Sequence, residues 1–205
     1  MGASGRSKYD TFFSATGKCL HLVGVPGGTI NHIGQSIPDE AALSVTPAIC
    51  RTWAPLNLGE AYSGGGSILD TFVKSLVCGE IKEDRLPNAG DIPTLEESRN
   101  AVLSFLRNDR IDSSDNKYRY LMRRMLRGRT LCTTSNGLIG AFLSAARIGD
   151  QICVALGSKT PLLLRPVLHQ KDSYRLCWRV LCGSSYGWRS FARFSSRFVE
   201  IWESR

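Results

Sequence analysis

The stretch Gly149-Asp150-Gln151-Ile152-Cys153-Val154-Ala155-Leu156-Gly157, followed by Ser158-Lys159-Thr160-Pro161 and Leu162-Leu163-Leu164-Arg165-Pro166-Val167, sets the fold class. Each apolar run is too short for a helix, and Gly, Asp and Pro punctuate both ends, so the pair reads as a hairpin of two strands. The unbroken run Leu162, Leu163, Leu164 belongs to a strand covered on both faces, because a half-solvated strand alternates apolar with polar residues.

Working outward, Thr130-Leu131-Cys132-Thr133-Thr134 is a strand that ends in the turn Ser135-Asn136-Gly137, and Leu138-Ile139-Gly140 begins the next segment. Downstream, Ser173-Tyr174-Arg175-Leu176 opens a further strand. Near the N-terminus, Cys19 to Val25 and Thr29 to Ile33 flank Pro26-Gly27-Gly28, which predicts a hairpin over 18–35 with its turn at the Pro-Gly-Gly. The segment 38–128 between these strand regions is mostly helical. Ser67 caps a helix whose apolar positions include Ile68, Leu69, Phe72 and Val73. Thr94 and Glu97 form a capping box ahead of Val102, Leu103, Phe105 and Leu106. The expected fold is therefore α+β: an antiparallel sheet or partial barrel from an N-terminal hairpin and C-terminal strands, with a mainly helical insertion. One domain is expected over 1–176.

Composition narrows the function classes. The chain has 205 residues, is 42% hydrophobic and 21% charged, and has no apolar run of the roughly 18–20 residues a membrane-spanning helix needs. The opening Met1-Gly2-Ala3-Ser4-Gly5-Arg6-Ser7 lacks the apolar core of a secretory signal, and Arg6 occupies the place a myristoylation signal gives to Ser or Thr. A cytoplasmic protein without a membrane span is expected. The seven cysteines, Cys19, Cys50, Cys78, Cys132, Cys153, Cys177 and Cys182, show no short repeated spacing, so neither a disulfide framework nor a zinc site is expected. The three histidines, His21, His32 and His169, stand near no nucleophile signature. Gly64, Gly65 and Gly66 precede a helix without the Lys-Ser/Thr a phosphate-binding loop requires. No catalytic, cofactor-binding or metal-ligating residue emerges.

Twenty-six Lys and Arg against 18 Asp and Glu give a net charge of +8. Two places hold this excess. Tyr118 to Arg127 is a basic amphipathic segment, and Arg119, Arg123, Arg124, Arg127 and Arg129 form a basic surface read first as a solvated or partner-docking face and alternatively as a nucleic-acid or anionic-surface site. The other place is 177–205, which carries five Arg, two Glu and seven of the 18 aromatic residues.

The order of segments resembles the C-terminal region of fungal heterokaryon incompatibility (HET-domain) proteins. Gly149, Asp150, Ile152, Cys153, Val154 and Gly157, then Pro161, Leu164, Arg165 and Pro166, match its Gly-Asp turn, its Ile-Cys-Val strand, its glycine turn and its Leu-Arg-Pro strand. The likeness is strong over 128–176 and diffuse over 9–127. It departs at Ala141-Phe142-Leu143, where the family has a Leu-Gly-Pro turn, and again after Leu176. There the family continues close to Val-Gly-Glu-Cys-Tyr-Val and, after a variable stretch, Met-Asp-Gly-Glu-Ala. A permitted codon set for Cys177 to Phe191 encodes that same family segment when read one base later, with both glycines dictated by Trp178 and Trp188.

The resemblance therefore implies a change of frame near Leu176–Cys177 and an aberrant, poorly ordered tail over 177–205. Over Cys177 to Ser190, the shifted reading removes Arg179 and Arg189 and introduces two Glu and one Asp, lowering the net charge from +8 to about +3 before later residues are counted. The family's defining HET domain has no counterpart here. What the resemblance implies is a non-enzymatic accessory and regulatory region of a protein of non-self recognition and regulated cell death. Other incompatibility proteins are the expected partners; no cofactor, no specific small molecule and no nucleic acid are expected.

Overall fold

The computed structural model describes residues 11–13, 19–40, 45–81, 92–107, 116–156, 160–168, 173–179, 182–183 and 197–202. The class is α+β as expected, with strands towards both ends and helices between them.

The long strand β2 (Cys19–Ile33) organises the sheet. It pairs antiparallel with β1 (Thr11–Phe13) through Leu20 to Leu22, and with β9 (Arg197–Trp202) from Cys19 to Gly24. From Gly24 to Thr29 it pairs with β5 (Gln151–Ala155), and from Ile30 to Ile33 with β3 (Arg129–Thr134). β5 continues to β6 (Leu162–Pro166), β6 to β7 (Ser173–Arg179), and β7 runs parallel to β9. Since β9 returns to β2 and β2 to β5, these five strands close a ring. On the far side, β3 pairs with β4 (Ile139–Leu143), and β4 with β8 (Cys182–Gly183).

The hairpin expected over 18–35 is not formed: its two halves are one continuous strand. Pro26-Gly27-Gly28 makes a bulge, marked by a register shift against β5 between Pro26 and Gly28. Gly28 supplies the left-handed φ of 103° that such a bulge uses. Between Gly24 and Ile30 β5 is the sole ladder partner of β2 among the described residues, and a proline lacking its N–H is tolerated there. Within the expected tail, the described residues are the end of β7, the two residues of β8 and the whole of β9.

Two cores follow from the two-residue period of β5. Cys153 and Ala155 join Leu22 and Leu164 in a small cluster within the ring. Ile152 and Val154 turn the other way, towards the main core. Leu163 and Leu164 likewise divide between the two, which accounts for the unbroken apolar run. Gly24 lies beside the inner cluster, where an added Cβ would meet Cys153 Sγ.

The main core is filled by the helices α1 (Val45–Thr52), α2 (Ile68–Leu76), α3 (Leu95–Arg107) and α4 (Asn116–Leu126). Phe72, Val73 and Leu76 from α2, Val102 and Phe105 from α3, and Tyr118, Met122 and Leu126 from α4 are all buried. The helix starts follow local chemistry. Asp70 N–H donates to Ser67 Oγ at 3.0 Å. At the second start, Thr94 N–H donates to Glu97 Oε2 at 2.7 Å while Glu97 N–H donates to Thr94 Oγ1 at 3.2 Å. Tyr118 donates its hydroxyl to Val73 O at 2.9 Å, satisfying the single polar atom that α4 carries into the core on that ring.

Candidate functional site

Two of the residues singled out from the sequence, Asp150 and Arg165, meet at one buried carboxylate. Asp150 is 1% exposed and ends the 144–150 connection just before β5. Its Oδ1 accepts from Arg165 Nε at 2.8 Å and its Oδ2 from Arg165 Nη2 at 2.9 Å, a two-pronged pair between neighbouring strands. Arg147 N–H adds a third donor to Oδ2 at 2.9 Å. The remaining reach of Arg165 goes to Ala145 O at 3.0 Å. The turn is also tied to β2, because Gly149 N–H donates to Ile30 O at 2.9 Å and Ile30 N–H to Asp150 O at 2.8 Å. Gly149 holds φ at 92°, which a side chain would resist.

The carboxylate thus fastens the β4–β5 connection to β6 and closes it on itself through Arg147 N–H, while the backbone of Gly149 and Asp150 ties it to β2. Ile152, Cys153 and Val154 are buried strand residues, Pro161 is buried ahead of β6, Leu164 is buried in the inner cluster, and Pro166 is exposed at the strand end. Gly157 lies outside the described residues. The nine described motif residues thus belong to strands β5 and β6 or to the segments that lead into them. Sequence reasoning placed Asp150 and Arg165 in one motif without finding that they pair, although their positions at the start of β5 and the end of β6 in a hairpin were the signal available.

The cysteines are divided. Cys50, Cys132, Cys153 and Cys177 are free thiols. Burial pushes Cys132 and Cys153 each up to about 12, and raises Cys50 further, so these groups stay protonated and unreactive at neutral pH. Burial and the charge of Asp150 raise Cys177, and Arg165 partly offsets them. Cys78, by contrast, is disulfide-bonded. This corrects the expectation drawn from spacing: a disulfide made between distant parts of a fold needs no repeated spacing in the chain. Cys78 also holds φ at 57°, next to Gly79 at 80°, and Arg129 Nη1 donates to its Sγ at 2.9 Å.

That last contact separates Arg129 from the other basic candidates. It is on β3, half-buried, and desolvation lowers its pKa. Arg119, Arg123, Arg124 and Arg127 lie along α4 and the residue after its end. Arg124 and Arg127 are exposed, and so is Tyr120, one turn before Arg124, at 63%. Arg119 and Arg123 are half-buried, and the Nε of each is buried without a hydrogen-bond partner. The basic segment therefore presents four arginines and a tyrosine. Sequence reading missed the tyrosine, though the run Tyr118-Arg119-Tyr120 offers one ring to the core and one to solvent by helical period alone.

Of the histidines, His21 and His32 lie on β2, and His169 is outside the described residues. Among the described residues, no group of three His, Cys, Asp or Glu side chains could hold a metal ion, and no helix is long and apolar enough to cross a membrane. The chain matches no family model, no curated protein and no solved structure.

Proposed function

We propose that this chain is the non-enzymatic accessory and regulatory region of an incompatibility-type protein of non-self recognition and regulated cell death, acting in the cytoplasm by contact with other incompatibility proteins and without a cofactor. The observation that carries this reading is the Asp150–Arg165 pair. The Gly149-Asp150 and Leu164-Arg165-Pro166 motifs, which carry the resemblance, meet as a buried fastening rather than as an open reactive site. A motif kept for architecture is what a non-enzymatic module is expected to hold in common with its family.

The genomic locus is the decisive test. A HET-domain reading frame adjoining the coding region, with codons 174–192 spelling the family segment one base later, is the expected result. A locus with neither would sink both the family reading and the frame change. A second reading, a protein that binds nucleic acid or an anionic surface, rests on a separate observation: the uncompensated arginines of α4.

A further inference from the structure

We propose that the outer face of α4 binds single-stranded nucleic acid, with Arg119, Arg123, Arg124 and Arg127 on successive phosphates and Tyr120 stacked on a base. The inference stands apart from the family reading, and because α4 precedes Leu176, it is unaffected by any change of frame after that residue.

Charge balance is the first support. The ion pairs formed by arginine among the described residues include Arg99 with Asp70 and Arg165 with Asp150, and neither touches α4. Among the described residues, no ion pair joins Arg119, Arg123, Arg124 or Arg127 to a carboxylate, and the Nε atoms of Arg119 and Arg123 have no hydrogen-bond partner. Two of these guanidinium groups have already had Nε withdrawn from water without gaining an acceptor. The guanidinium groups open to an arriving phosphate are those of the exposed Arg124 and Arg127, which can meet its oxygens with charge-assisted hydrogen bonds.

Spacing is the second. Arg119, Arg123 and Arg127 recur every four residues, so they form a row with steps of about 6 Å along the helix. Tyr120 and Arg124 form a second, parallel row. A line of guanidinium groups beside an exposed ring is the arrangement that tracks a phosphate backbone while stacking an unpaired base.

The ligand class follows from what the face lacks. An interfacial helix inserts an apolar stripe into lipid, whereas Leu121, Met122 and Leu126 of α4 are already buried in the protein core. Among the described residues of α4 the exposed ring is that of Tyr120, and a duplex offers no free base face for it. Unpaired nucleic acid uses both the charges and the ring.

The test is fluorescence polarisation of the full chain with labelled single-stranded RNA and DNA oligonucleotides, the matching duplex and anionic phosphatidylserine vesicles, between 50 and 200 mM salt (~, on the scale over which such binding weakens). Binding to single strands above duplex and vesicles is expected. Tyr120→Ala is expected to weaken it about 5- to 150-fold with the salt slope unchanged. The double variant Arg124→Gln/Arg127→Gln is expected to reduce that slope by about 1.4. All three positions are exposed, and circular dichroism checks that the fold persists. Absence of binding, equal binding by the variants, or a preference for vesicles or duplex would overturn the proposal.

Discussion

Two bidentate aspartate–arginine pairs occur in the two halves of this molecule, and they differ in what surrounds them. Asp150 and Arg165 join neighbouring strands of the ring; the Asp150 side chain is 1% exposed and that of Arg165 30%. Asp70 and Arg99 join α2 to α3 at the surface, with exposures of 17% and 41%. The donor atoms are the same in both, Nε and Nη2 to the two carboxylate oxygens. Water makes the difference. Removing Arg165 strands a buried carboxylate and removing Asp150 leaves a guanidinium that is only 30% exposed, whereas either partner of the helix pair can turn to solvent.

The comparison is tested most severely at Asp150. Asp150→Ala is expected to cost about 3–5 kcal/mol in chemical denaturation, since Arg165 and the Arg147 N–H both lose their acceptor. If Asp150→Ala and Arg165→Ala are each severe while the double variant is far milder than their sum, the pair and not the turn alone carries the effect. Next in size is Cys78→Ser, expected to cost about 2–5 kcal/mol under oxidising conditions and far less in excess reductant. Equal stability in both conditions would show that the bond is not made in solution.

Gly28→Ala is expected to cost about 1–2 kcal/mol, because the β2 bulge holds a left-handed φ and an added Cβ would meet the Asn136 side chain. The smallest effect is expected at the helix pair, where Arg99→Gln should change stability by no more than about 1 kcal/mol. That change should vary with pH in a defined sense. The hydrogen bonds from Arg99 lower the pKa of Asp70 below its ordinary value. Its contribution is therefore present above the ordinary carboxylate range and is lost as pH falls through the lowered folded value. The difference between the native chain and Arg99→Gln should shrink towards zero in acid, as read from denaturation midpoints across pH. A difference that persisted in acid would mean that the arginine acts by packing instead.

How far each feature was legible depends on how local its cause is. Ser67 and the Thr94–Glu97 box were readable because cap and helix lie within three residues, and Ser135-Asn136-Gly137 because a turn is fixed by its own backbone. Gly137 indeed takes φ of 77°. Pro26-Gly27-Gly28 carries the same turn chemistry, yet the chain goes straight on. What decides between turn and bulge there is β5, which pairs Pro26 with Cys153 from a distant part of the sequence. The site divides similarly. The basic character of α4 was plain from composition, but which of its arginines lack an acceptor, and that Arg129 leaves the group for Cys78, depends on packing between elements. The Cys78 disulfide was hidden for the same reason.

The reach of β2 also has a consequence for the order of folding. This strand is synthesised early, yet its ladder partners include Cys132 to Thr134, Gln151 to Ala155 and Arg197 to Trp202, all of which emerge much later. Apart from the early partner β1 at Leu20 to Leu22, a nascent chain must hold it unpaired while α1 to α4 are made, and long-range pairing of this kind is slow because loop closure precedes any reward. The helices can gather their apolar faces first; the ring cannot shut until Trp202 has left the ribosome, and until then its longest strand is the edge most open to pairing with the wrong chain.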